Sequence, residues 1–138
     1  MLELEAPVLQ AQPHPHAPRD LAGPGLRAFL RLAELWELDQ EAQRTLLGGP
    51  SRATWHRWRK APPADLSRDT LERLSYLLGI WKALKILIPD GAQAAAWVRR
   101  PNADPLFGGR PPLERMLQGR LVDLADVRRH LDAARGVW

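Results

Sequence analysis

The sequence predicts an all-α fold, and three observations predict it. Apolar residues recur at the helical period of about 3.6 in one segment after another, as at Leu26, Phe29, Leu30, Ala33 and Trp36. Most of these segments open on a helix-starting residue (Asp39, Ser51, Asp90, Asp123) and close on glycine or proline. No stretch alternates apolar and polar residues with a period of two over a useful length.

The stretch that organises the chain is DTLERLSYLLGIWKALKILI, residues 69–88. Its first half carries one buried stripe at Leu71, Leu74, Leu77 and Leu78. From Tyr76 to Ile88 only Gly79, Lys82 and Lys85 are not apolar, so this half must be covered on nearly every side. The expected cover is a second copy of the chain, seated on Ile80, Trp81, Leu84 and Leu87. The competing expectation is that the last two helices fold back over it within one chain. Ser67 or Asp69 starts this helix, Asp69 with Glu72 as a capping box, and Pro89 stops it.

The other elements follow in order. Residues 1–24, rich in Pro, Ala and His, read as a mobile tail; His14 and His16 lack the further ligands a metal site needs. Residues 25–66 form a helix-turn-helix half. A first helix covers residues 26–38, and Asp39 caps a second through Ala42, Leu46 and Leu47. Gly48-Gly49-Pro50 breaks it, and Ser51 caps a third that ends before Ala61-Pro62-Pro63. Residues 67–89 are the central helix and residues 90–138 a second half. There Asp90 caps a short helix through Ala94, Trp97 and Val98, followed by a Pro- and Gly-dense loop over residues 102–112. Residues 112–118 form another short helix. Asp123 caps the last, with Leu124, Val127, Leu131 and Ala134 inward and Gly136 as terminator.

At 138 residues the chain is one domain or two small ones sharing a core, and 45% apolar residues with six tryptophans suffice to build it. The net charge of +4 permits a nucleic-acid partner without requiring one. With no cysteine, disulfides, thiolate zinc sites and cysteine nucleophiles are excluded. No apolar run reaches the roughly 18 residues of a membrane span, and the N-terminus lacks a secretion-signal pattern, so a cytoplasmic protein without a membrane partner is expected.

Two short helices around a glycine turn, the second one basic, are the pattern of a helix-turn-helix reader of DNA. Trp55 and Trp58, three apart, should anchor the second of these to the core. That leaves Arg52, Ala53, His56 and Arg57 outward, with Arg59 and Lys60 near the end and Ser51 and Thr54 at the start. Arginine pairs bidentately with guanine, and terminal Arg and Lys suit phosphates. The plainer alternative is a solvated basic face; the turn and the tryptophans favour the reader. No Ser, His and Asp stand in a triad spacing, Gly108-Gly109-Arg110 is a weak anion signal, and capping or solvation accounts for Asp123, Asp126 and Asp132. Neither enzymatic activity nor a cofactor is expected.

The stretches LLGGPSRATWHRW, DTLERLSYLLGIWKALKIL and PNADPLFGGRPPLERMLQGRLVDLADVRRHLDAARG resemble the MbcA/ParS/Xre antitoxin family over residues 46–138. The resemblance implies an antitoxin encoded beside a RES-domain toxin that consumes NAD⁺. It also implies an Xre-like helix-turn-helix half that represses its own operon and a C-terminal half that covers the toxin's active site. Toxin contacts are then expected from the exposed loop residues Asn102, Phe107, Gly108, Gly109 and Arg110. Arg128 and Arg135 on the last helix would add to them, and Trp138 at the chain end would serve as an apolar plug. One departure from the family pattern is the end of the third helix, where Arg59-Lys60 and a double proline replace a glycine turn. The reading of different class is a stand-alone helix-turn-helix transcriptional regulator, and an adjacent RES-type reading frame would separate the two.

Overall fold

The computed structural model describes residues 22–136, and among them every regular element is helical. Most of the expected tail, and the expected plug at Trp138, lie outside the described residues. In chain order the helices are α1 (Ala22–Leu35), α2 (Gln40–Leu46), α3 (Arg52–Lys60), α4 (Arg68–Leu87), α5 (Gly91–Ala96), α6 (Pro112–Met116) and α7 (Leu121–Ala134). A 3-10 turn, Trp97–Arg99, continues α5.

Helix α1 takes in Gly23, Pro24 and Gly25, so it begins before the predicted start at Leu26. Pro24 falls in the first turn, where a backbone N–H has no helical acceptor and its loss is harmless. Leu32 rather than Leu30 completes the buried stripe with Leu26, Phe29 and Ala33. The helix ends on Glu37 at φ 55, with Leu38 N–H donating to Ala33 O at 2.9 Å, a Schellman closure made without glycine.

Capping side chains fix the next starts. Asp39, Ser51, Ser67 and Asp90 each accept the backbone N–H three residues on, from Ala42, Thr54, Thr70 and Gln93. Two starts differ from expectation. Ser67 caps α4 alone, and Asp69 forms no capping box because its carboxylate holds Arg73 Nε at 2.8 Å. Asp123 sits in the third position of α7 and reaches back to the Arg120 N–H at 3.2 Å.

Helix α4 is the shared wall of both halves, packed most extensively on α7 and then on α1. Its residues Ile80 and Leu84 are 0% exposed, enclosed in one core that includes Leu124, Val127 and Leu131. The expectation that they meet a second copy is therefore corrected: the chain covers them with its own last helix. Trp81 is half-buried with Lys85 Nζ 5.6 Å over its ring, Leu87 is half-buried, and Ile86 remains 53% exposed. No helix of the described residues is long and apolar enough to cross a membrane.

Candidate nucleic-acid interface and partner surface

The turn between α2 and α3 requires glycine twice, since Gly48 and Gly49 adopt φ 95 and 82. Gly48 is also tight: a Cβ there would stand 2.8 Å from Asp69 Oδ2 and 3.1 Å from Arg73 Nε. The turn thus lies directly on the ion pair that opens α4. Arg44 Nε holds its other end by donating to Pro50 O at 2.8 Å.

Trp55 anchors α3. It is 1% exposed, meets Phe29 edge-on at 6.0 Å and Trp58 edge-on at 6.3 Å, and donates its indole N–H to Gln43 Oε1 at 3.2 Å. With that side immobilised, Ala53, His56, Arg57 and Lys60 stand exposed on the other, while Arg52 and Arg59, three before and four after Trp55 on its own side, are exposed toward the helix ends. Ser51 is exposed too, but its hydroxyl is engaged with Thr54 at both N and Oγ1. Thr54, half-buried, also accepts from Arg57 Nη2 at 3.4 Å. Four cations on a rigid helix, with no acid among them, make a surface suited to a polyanion.

In the second half the loop over residues 102–110 closes on itself. Asn102 N–H donates to Arg110 O at 3.2 Å, Gly109 N–H donates to Asn102 O at 2.9 Å, and Asn102 Oδ1 accepts from Asp104 N–H at 2.9 Å. Asn102 is the staple of this loop. Phe107 is 5% exposed, edge-on to Trp97 at 5.8 Å and to His130 at 5.3 Å, while Trp97 and His130 stack at 6.3 Å. The expected presentation of Phe107 to a partner is corrected: a ready aromatic slot outweighs exposure, because burying such a ring contributes about 1.5–3 kcal/mol. What the loop presents is Gly108, Gly109 and Arg110, all exposed, the glycines at φ 59 and 83.

From Arg110 onward the arginines of this half are engaged with acids. Arg110 pairs with Glu114 at 3.1 Å, and Asp132 holds both Arg128 Nε at 3.0 Å and Arg135 Nη1 at 3.5 Å. Beneath them lies a network the sequence did not reveal. Asp123, 0% exposed, accepts Arg120 N–H, Arg120 Nε at 3.0 Å, Arg120 Nη2 at 2.8 Å and Arg115 Nε at 3.1 Å. Burial alone pushes its carboxyl up, but the hydrogen bonds and charge of Arg120, with Arg115 behind, hold it below the usual carboxylate range. Arg115 goes on to Asp126 at 2.8 Å and to Leu106 O at 3.3 Å, tying the loop to α7. A groove of about 360 Å³ lies over this network, lined by Arg110, Arg115 and Arg120 among others. Among the described residues no group of three or more His, Asp or Glu side chains can hold a metal ion.

Comparison with known proteins finds two matched domains that meet within α4. Residues 15–79 match the antitoxin Xre-like helix-turn-helix domain, and residues 83–136 match the antitoxin Xre/MbcA/ParS C-terminal toxin-binding domain. The chain is also 50% identical over 111 residues to "Uncharacterized protein y4oB" of Sinorhizobium fredii (strain NBRC 101917 / NGR234), covering 80% of this chain and 84% of that protein.

Proposed function

Because the chain belongs to the Xre/MbcA/ParS antitoxin family, we propose that it is the antitoxin of a type II toxin–antitoxin pair whose toxin is a RES-domain, NAD⁺-consuming enzyme. The second half covers the toxin's active site, and α3 binds operator DNA to repress the shared operon in the cytoplasm. The antitoxin performs no chemistry and needs no cofactor. The observation that supports this best is the pairing of an exposed basic helix, locked by Trp55, with a toxin-binding domain on the same α4. That domain favours the antitoxin reading over a stand-alone regulator.

In this reading Arg52 and Arg57 contact base edges while Arg59 and Lys60 hold phosphates. Neutralisation works by occlusion. Gly108 and Gly109 let the loop backbone approach the rim of the NAD⁺ pocket, Arg110, Arg128 and Arg135 meet acidic groups there, and Trp138 plugs the mouth. Asn102 keeps the loop in shape. Two copies associate through the exposed remainder of α4 around Trp81, Ile86 and Leu87, which sets two recognition helices about 34 Å apart for a two-fold operator.

Co-expression with the adjacent reading frame, followed by affinity purification through this chain, tests the pairing. Co-purification of a RES-type protein is expected, with the complex shifting the upstream DNA in a gel. A chain that purifies alone and still shifts that DNA is the stand-alone regulator instead.

A further inference from the structure

Three successive carbonyls follow the end of α1, and side chains from both halves hold them. Arg99, in the 3-10 turn of the toxin-binding half, donates from Nε to Trp36 O at 2.8 Å and from Nη2 to Glu37 O at 2.5 Å. Gln43 Nε2 donates to the third, Leu38 O, at 2.9 Å. The other side-chain atom of Gln43 accepts the indole N–H of Trp55, the anchor of α3. The corner between α1 and α2 is therefore gripped from one side by Arg99 and from the other by the residue that holds the recognition helix.

These carbonyls lie beyond the last turn of α1 and have no helical donor, so a guanidinium with two N–H groups suits them. Glu37 is the one non-glycine residue at positive φ among those described, a conformation that depends on its surroundings. Two residues before Arg99, Trp97 packs on Phe107 and His130, one in the 102–110 loop and one in α7. Contacts thus run unbroken from the loop through Trp97, Arg99, the α1–α2 corner and Gln43 to Trp55.

We propose that Arg99 is a positioning residue for the recognition helix, and that toxin bound at the 102–110 loop changes operator affinity through it. The proposal rests on the antitoxin reading above. The two-state element is the corner itself. With Arg99 docked, Asp39 and α2 are held and Gln43 meets Trp55; with Arg99 withdrawn, two carbonyls turn to water and the corner relaxes.

The test measures binding of a fluorescent duplex from the DNA upstream of this reading frame, with and without the adjacent frame's product. The chains compared are the full-length protein, Arg99→Ala, Arg99→Lys and Arg100→Ala, whose parent arginine pairs with Gln93 inside its own half. For the native chain the toxin is expected to change operator affinity at least about 5-fold, the lower end of ordinary coupling. Arg99→Ala should weaken the free chain's operator binding and abolish the toxin-dependent change, with toxin affinity retained. Arg99→Lys, whose ammonium can still serve one carbonyl, should restore part of both, and Arg100→Ala should behave as native. An unchanged toxin effect in Arg99→Ala overturns the proposal and leaves the antitoxin reading intact. So does a native chain that binds both partners without coupling, or a parallel loss of operator binding, toxin binding and thermal stability in Arg99→Ala. A native chain that binds neither partner overturns the antitoxin reading as well.

Discussion

Gly79 on α4 is the seat of the Arg128 guanidinium: a Cβ at Gly79 would stand 1.7 Å from Arg128 Nη1 and 2.6 Å from its Cζ. The missing side chain lets Arg128 lie across the central helix, with Asp132 holding its Nε at 3.0 Å. Gly79→Ala should separate two effects. Alanine in a helix interior is worth about 0.5–1 kcal/mol over glycine, and the obstructing atoms belong to the end of a flexible side chain that can swing away. The expected change in unfolding free energy is below about 1 kcal/mol in either direction, while toxin affinity falls because Arg128 has left its place. A loss of stability beyond that range, read by urea titration, would mean that backbone and not one arginine blocks the site.

The exposed basic face of α3, proposed to read DNA, makes a sharper demand. Arg52→Ala or Arg57→Ala should cost about 1–3 kcal/mol of operator binding and relax specificity at one position, whereas Lys60→Ala should weaken all sequences alike and lower the salt slope by about 1. Gel shifts at several salt concentrations distinguish these. If the double variant Arg52→Ala, Arg57→Ala shifts the upstream DNA as the native chain does, another surface reads it.

Asp123 sets a pH dependence. Its folded-state pKa lies below the ordinary value of a carboxyl, about 3.9 when unfolded. The stability it contributes is therefore fully present above about pH 4 and is lost as pH falls through the folded pKa. Asp123→Asn should be less stable than native by about 2 kcal/mol at pH 7, since it leaves Arg115 and Arg120 short of their acceptor. The gap should shrink below about pH 4 as the native carboxyl protonates. Thermal melts across pH read it, and a gap that is constant to about pH 2 would mean that the ionised Asp123 network does not set this stability.

The two sides of α4 should respond oppositely. Ile80→Ala, in the closed core, should cost about 2–5 kcal/mol of stability. Ile86→Glu, on the exposed side, should leave stability within about 0.5 kcal/mol and separate the proposed dimer into monomers by light scattering. A native chain that is already monomeric at micromolar concentration contradicts the dimer.

Elements whose causes are local could be read from the chain itself. Asp39, Ser51 and Asp90 cap where the sequence places them, Gly48-Gly49-Pro50 turns there, and Trp55 faces inward. The sequence is ambiguous where a residue has two physically reasonable fates. The apolar run at Ile80 and Leu84 is equally consistent with a partner chain or with α7, and only the fold shows which is present. Phe107 in a glycine-rich loop reads as exposed until Trp97 and His130 are seen to form its slot. Arg99 gave no signal, because a hydrogen bond to a carbonyl 63 residues away leaves no pattern in spacing or composition. Asp123 was visible as a helix-start acid, but its burial between Arg115 and Arg120 depends on α6 meeting α7.

Neutralisation of an NAD⁺-consuming partner by occlusion is the function proposed for this chain. Cellular NAD⁺, measured while the adjacent frame's product is induced with and without this chain, decides it. NAD⁺ should collapse when the neighbour is expressed alone and stay near its uninduced level when this chain accompanies it. A neighbour that leaves NAD⁺ untouched, or depletes it equally in the presence of a stable complex with this chain, contradicts the claim.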